Sequence, residues 1–221
     1  MDGLSLYLVR HGETDWNKQS RLQGHTDVPL SEEGVRQSEM VAERFRGMTV
    51  DAVYSSDLLR ATQTAELIGA AVGVPTQPRA ELREAHFGDW EGLTRADVER
   101  NGDGRYDAYK ADPLAFRPPG GEPIAAMIER TWLEFLRIGR EHPQGTVVLV
   151  TSGGPIKGIA LRLLRGTSVT FHLLRTDNTA VSLVNRSPDG AASLTYWNDS
   201  HHLGPDGIAH RVTDALLRGR Y

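Results

Sequence analysis

The sequence predicts an α/β fold, a three-layer α/β/α sandwich with a mostly parallel central sheet and an inserted lid segment. Three observations predict it. Short apolar runs at 4–9, 50–55 and 147–150 alternate with stretches of helical spacing, the order that gives parallel strands covered by crossover helices. One stretch, about 85–121, breaks this alternation with Gly, Asp, Arg and Pro. Hydrophobic residues make up 39 % and charged residues 24 % of the 221 residues, enough to bury a core and too apolar for disorder.

Residues 4–9 read as a buried strand that stops at Arg10-His11-Gly12, a glycine-containing loop. Ser31 before Glu32-Glu33 reads as a helix start, because a hydroxyl caps the first N–H groups and acids suit the positive helix end. Val35, Val41, Ala42 and Phe45 then keep helical spacing and Gly47 ends the helix. After the strand at 50–55, Asp57 is expected to cap a helix whose Leu58, Ala61, Thr62, Ala65, Ile68 and Val72 share a face. The 85–121 stretch, with Asn101-Gly102-Asp103-Gly104 and Pro118-Pro119-Gly120-Gly121, reads as an insertion with a short helix lying over the sheet. Ile124, Met127, Ile128, Thr131, Phe135 and Ile138 mark an amphipathic helix. The strand at 147–150 leads into Gly153-Gly154-Pro155, with Pro early in a new helix. Residues 179–184 and 191–196 read as strands joined by the turn Ser187-Pro188-Asp189-Gly190. One domain is expected over 1–221. The tail 203–221 places Ile208, Val212, Leu216 and Leu217 in helical spacing, to pack on the body or on a second subunit in a homodimer.

The formal net charge is −4, from 25 Lys+Arg against 29 Asp+Glu. That argues against general nucleic-acid binding, which needs a basic surface, but allows a small anion held by arginines focused in one cleft. The absence of cysteine excludes thiol catalysis, disulfides and cysteine-bound metals. No apolar run reaches the ~18–20 residues of a membrane helix, and the first residues do not resemble a secretory signal. The expectation is a cytoplasmic protein with no membrane partner, no metal and no cofactor.

In open α/β sheets, ligands bind beyond the carboxyl ends of the strands. The segments Arg10-His11-Gly12, Ser55-Ser56-Asp57 and Thr151-Ser152-Gly153-Gly154 all fall there. Arginine forks match phosphate oxygens, a neutral imidazole is a competent nucleophile toward phosphorus, and Gly12 lets the backbone approach a ligand closely.

The segment Arg10-His11-Gly12-Glu13-Thr14, with Trp16-Asn17 behind it, resembles the signature of the histidine phosphatase superfamily, which includes phosphoglycerate mutases. Further matches are the runs from Ser56 to Ala65 and from Leu82 to Thr94, the shorter Pro119-Gly120-Gly121-Glu122, and Asn198-Asp199-Ser200-His201-His202-Leu203. They come in the family's order. The resemblance implies that His11 is a nucleophile forming a phosphohistidine. It implies that Arg10 and Arg60 clamp the phosphoryl oxygens, that Asn17 donates to them, and that Glu84 protonates the leaving oxygen. Gln23 and Gly24 would form the loop at the pocket mouth. Asp89 and Glu91 are rival carboxylates in the same stretch, and Glu13 is expected to orient the arginines.

One position departs from the family. Where the resemblance calls for a second histidine in a Ser-His-Gly-Gly pattern, this chain has Thr151-Ser152-Gly153-Gly154, and Ser152 stands at the histidine's place. Losing a preorganised donor costs about 10²–10³ in rate at an oxyanion-type site. Compensation is expected from the Ser152 hydroxyl, from the helix N-terminus at Gly153, or from another histidine, with His25, His86 and His201 as candidates.

Family mutases carry Arg-His-Tyr after the acid, where this chain has Ala85-His86-Phe87. The reading is therefore a phosphomonoester hydrolase acting on a small phosphorylated metabolite or releasing inorganic phosphate. The alternatives left open are a phosphoglycerate mutase, a weak or inactive phosphate-binding module owing to Ser152, and a metal hydrolase using Asp199, His201 and His202. Of the lid residues Arg100, Arg105, Tyr106, Tyr109, Lys110 and Arg117, one or two are expected to face the pocket.

Overall fold

The first strand, β1 (Leu4–Arg10), turns Leu4, Leu6 and Leu8 to one face of the sheet and Val9 to the other, the period-2 alternation of a strand buried on both sides. The structure, a computed structural model, describes residues 3–101 and 103–204. The helix expected in the tail lies outside the described residues.

A short helix, α1 (Asp15–Lys18), follows the loop after β1, capped by Thr14. Then come α2 (Glu32–Phe45), β2 (Ala52–Ser55), α3 (Leu59–Val72) and the edge strand β3 (Thr76–Pro78). The expected insertion holds α4 (Arg95–Arg100) and α5 (Arg105–Ala111), two short helices where the sequence pattern indicated one. After it come α6 (Ile124–Glu141), β4 (Gly145–Thr151), α7 (Gly153–Leu164), α8 (Ser168–Leu173), β5 (Val181–Arg186) and β6 (Ala192–Asp199).

The strands form a six-stranded sheet in the order β3-β2-β4-β1-β5-β6. The pairs among β3, β2, β4 and β1 are parallel, and β5 and β6 extend the sheet antiparallel. The hairpin turns at Gly190, whose φ of +91° only glycine adopts freely. Side chains of α6 and α7, including Phe135, Ile138, Ile156 and Ile159, pack on Leu6, Val147 and Leu149 on one face. Val41, Phe45, Ala61, Ala65 and Ile68 of α2 and α3 pack on Val148 and Val150 on the other. Two helical layers thus enclose the sheet, as the alternation of elements implies. No helix among the described residues is long and apolar enough to cross a membrane.

Two local expectations are corrected. Ser31 does cap α2 through Gly34 N–H at 3.1 Å, but Val35 lies on the exposed side, and Gln37 and Ser38 take the buried face. Asp57 does not cap α3. Both its oxygens bind the Arg83 guanidinium at 2.6 Å, and the Leu59 N–H is received by Asp27 at 2.7 Å. A bidentate arginine outcompetes a local cap because two charge-assisted bonds exceed one.

The insertion carries its own apolar cluster. Trp90 stacks on Phe116 at 5.1 Å between ring centres and meets Tyr106 and Tyr109 edge-on. This cluster is continuous with Ile124, Met127, Leu161 and Phe171, so it is anchored to α6, α7 and α8.

Candidate active site

Three parallel strands deliver their last residues to one place. Arg10 ends β1 opposite Thr151 of β4, and the His11 N–H donates to the Thr151 carbonyl at 2.9 Å. Ser56 N–H, beyond β2, donates to Val150 at 2.9 Å. A cavity of about 580 Å³ opens over these ends and is lined by Arg10, His11, Asn17, Arg60, Glu84 and Ser152, among others.

His11 is 2 % exposed. Its Nδ1 donates to the Gly12 carbonyl at 2.7 Å, which leaves the lone pair on Nε2. Burial, followed by the positive charges of Arg60 and Arg10, holds the imidazole pKa well below its ordinary 6.5. The ring is therefore neutral at physiological pH. Gly12 has a different duty from the one expected. A Cβ there would collide with the Gly34 carbonyl and Ser38 hydroxyl of α2, so the glycine allows the loop to approach a helix, and its N–H donates to Thr64 Oγ1 at 3.0 Å.

The Arg10 guanidinium donates from Nη1 to the Thr176 carbonyl at 2.7 Å. Arg60 is 1 % exposed and donates to the Gly24 and Thr26 carbonyls at 2.7 and 3.0 Å. Its Nε is buried with no acceptor among the described residues, an arrangement that needs explaining in a native site. Burial disfavours its charge, and Glu84, Asp27 and Glu91 offset that. Asn17 Oδ1 accepts from the Thr14 N–H and hydroxyl at 3.1 Å. This fixes the amide so that its NH₂ group is the one left to donate. Gln23 is buried and, with Gly24, lines the cavity.

Glu84 is held by two backbone donors. Oε1 accepts from Ala85 at 2.9 Å and Oε2 from Gly154 at 3.0 Å. A Cβ at Gly154 would collide with that carboxylate. The N-terminus of α7 therefore spends one N–H on Glu84. Ser152 is the N-cap residue of α7, yet its hydroxyl caps no N–H, which leaves it available to a ligand, and Gly153 lines the cavity beside it.

Other expectations fail. Glu13 does not line the cavity; it contacts Lys18 at 3.5 Å and Ser31 at 3.2 Å. Glu91 binds the N–H groups of His25, Thr26 and Phe87, so it clips loops together, and Asp89 is exposed outside the cavity. None of the three histidines offered as replacements reaches the site. His25 Nε2 is bonded to the Glu84 carbonyl at 2.9 Å, His86 faces Glu91 at 3.7 Å, and His201 faces Asp199 at 3.2 Å. His202 turns away to Thr179, and no three metal-ligating side chains cluster among the described residues. The expectation that one or two of the six lid candidates face the pocket is met by Tyr109. Lys110, for one, is paired with Glu99 and Asp107.

Sequence reasoning missed Lys157, Arg95 and His172, which line the cavity. Lys157 had a legible signal. It lies four residues after Gly153, one turn along the same face of a helix that starts at the pocket.

Residues 6–200 match the histidine phosphatase superfamily (branch 1). The chain is 32 % identical to a metal-independent phosphoserine phosphatase of Arabidopsis thaliana, over 95 % of this chain and 87 % of that protein. It is 36 % identical to the glucosyl-3-phosphoglycerate phosphatase of Mycobacterium tuberculosis, over 72 % of this chain and 75 % of that one. Among solved structures, the phosphoserine phosphatase of Entamoeba histolytica superposes with a TM-score of 0.81 at 31 % identity, covering 90 % of this chain and 99 % of that one. A fold expected from alternating strands and helices, a buried imidazole between two arginines, and matches of this extent lead to one assignment: the chain belongs to the histidine phosphatase superfamily.

Proposed function

We propose that the protein is a phosphomonoester hydrolase of small phosphorylated metabolites that works through a phosphohistidine at His11. The observation that carries this reading is the buried, neutral imidazole, its Nδ1 tied to Gly12 and its Nε2 left to the cavity. In the proposed reaction Nε2 attacks phosphorus as the ester oxygen leaves. Arg10, Arg60 and the Asn17 amide hold the three equatorial oxygens, whose charge dominates such transition states. The Glu84 carboxyl gives its proton to the leaving oxygen. It then takes a proton from the water that attacks the phosphohistidine, which regenerates His11 and releases phosphate. The unpartnered Nε of Arg60 supports an anion as the missing acceptor. The 85–121 segment acts as the lid over the leaving group.

Phosphatase relatives support hydrolysis over mutation, as does the lack of an arginine at Ala85. Ser152 favours a second reading, in which the pocket binds phosphate and turns over slowly. A phosphate-release screen over a phosphomonoester panel, with His11→Ala as control, tests both. Hydrolysis lost in the variant supports the enzyme. Phosphate binding with no release from any ester supports the module.

A further inference from the structure

Glu84 sits on a stretch with little regular structure. It follows a single turn of 3-10 helix (Ala80–Leu82) and lies outside the sheet. A group that delivers a proton must nevertheless stand within hydrogen-bond reach of the leaving oxygen, and a misplacement of about 1 Å costs about 10²-fold in rate. The support comes from α6. Arg130 donates from Nη1 to the carbonyls of Glu81 and Arg83 at 2.8 and 2.7 Å, and from Nη2 to the carbonyl of Glu84 itself at 2.8 Å. Its other two N–H groups bind Glu122, Nε to Oε2 at 3.2 Å and Nη2 to Oε1 at 2.6 Å. A guanidinium has five donors, so every one is engaged. Glu122 in turn accepts the His86 N–H at 2.9 Å, and its own N–H donates to the His86 carbonyl at 2.9 Å. Burial disfavours charge on Glu122, but the Arg130 bonds and the His86 N–H outweigh it and hold its pKa below the ordinary carboxylate value. The pair is therefore ionised at neutral pH. Neither Arg130 nor Glu122 lines the cavity. A part-exposed Arg–Glu pair ordinarily contributes little, yet this one grips the backbone on both sides of the residue that carries the acid.

We propose that Arg130 is a positioning residue for proton transfer: with Glu122 it clamps the backbone on both sides of Glu84, so that the carboxyl meets the leaving oxygen from a fixed base. The proposal rests on the hydrolase reading, in which Glu84 is the proton donor. The carboxylate head is also held, by the Ala85 and Gly154 N–H groups. A protonated carboxyl turns its O–H to the leaving oxygen and gives up a bond accepted there. The clamp then carries the position at the moment of transfer.

The test compares kcat/KM for p-nitrophenyl phosphate, phenyl phosphate and glycerol 3-phosphate. Nitrophenolate leaves without a proton, whereas an alkoxide needs one. Glu84→Gln should lose about 10²–10⁴-fold on the alkyl ester and far less on the nitrophenyl ester. Arg130→Met should show the same pattern with a loss of about 10²-fold, and Arg130→Lys should recover part of it. Equal losses on all three esters indicate a merely structural role and overturn the clamp. When Glu84→Gln and Arg130→Met are combined, the two losses should not multiply, because Arg130 acts through Glu84; multiplication also overturns the proposal. If Arg130→Met does not fold, Glu122→Gln should give the same pattern at smaller size, and equal losses there overturn the clamp. Vanadate affinity reads the same geometry without turnover, since the ion takes up the arrangement of the transferring phosphoryl group. Arg130→Met should weaken it, with no further loss when Glu84→Gln is already present, and unchanged affinity overturns the clamp. No phosphate release from any ester, with vanadate binding still weakened by Arg130→Met, removes the hydrolase reading and leaves the clamp. Release from every ester with no leaving-group dependence in Arg130→Met does the reverse.

Discussion

Two parts of the cavity wall are built differently. One, around His11, sits at the strand ends and on the first turn of α3. His11 and Arg60 are almost wholly buried, and His11, Arg10 and Arg60 are tied to backbone carbonyls of Gly12, Thr176, Gly24 and Thr26. The other part is carried by α4, α5 and α7, through Arg95, Tyr109 and Lys157. Arg95 is exposed, and Tyr109 and Lys157 are half-exposed. A group that must meet phosphorus within a fraction of an ångström belongs on rigid, hydrogen-bonded elements. A group that reads the rest of a substrate can sit on an inserted segment that varies without disturbing the chemistry. On the proposed function, the chemistry belongs to the first part, and substrate choice to the insertion together with α7.

This separation can be broken or sharpened by mutation. The largest effect belongs to His11→Ala, which should lower kcat by roughly 10⁴-fold or more in a phosphate-release assay, as loss of a nucleophile does elsewhere. Arg60→Met comes next, with a loss of about 10²–10³ in kcat/KM. Its pH profile carries a second readout. A lowered His11 pKa means that the imidazole stays neutral as pH falls below 6.5, so activity fails only when pH drops through that lowered value. Removing one of the two flanking cations should move the acid limb of kcat/KM upward. Ser152→His should raise kcat by about tenfold or more if the site is only weakened, because an imidazolium donor returns to the transition state. No gain would mean that the pocket is already served by another donor. Trp90→Ala should have the smallest effect on chemistry. It removes the aromatic that holds the insertion together, costs about 3 kcal/mol in a thermal melt, and should raise KM more than it lowers kcat. If Trp90→Ala instead lowered kcat as much as Arg60→Met does, the two parts would not be independent.

Much of the part around His11 was legible in the sequence, since strand-tip motifs are local. Arg10, His11, Asn17, Arg60, Glu84 and Ser152 all line one cavity, because parallel strands carry their following loops to the same edge. Of the helical part only Tyr109 was legible, as one of the six lid candidates. Arg95 and Lys157 come from α4 and α7, and only the fold brings the insertion against α7. The carboxylate-rich stretch misled for a related reason. Glu91 and Glu13 have the right chemistry for a site, yet backbone N–H groups and a lysine claim them first. Asp57 likewise matched a cap pattern until Arg83, distant in sequence, took both its oxygens. Sequence patterns register local competition for hydrogen bonds and miss competitors that arrive through the fold.

The central claim is the covalent role of His11. Rapid quenching of the protein with a turned-over phosphomonoester, followed by peptide mass analysis under acidic and alkaline conditions, tests it directly. The account predicts one phosphoryl group on the peptide containing His11, stable in alkali and lost in acid, and absent from His11→Ala. An acid-stable phosphoryl group on Ser152, or full turnover in His11→Ala, would contradict it.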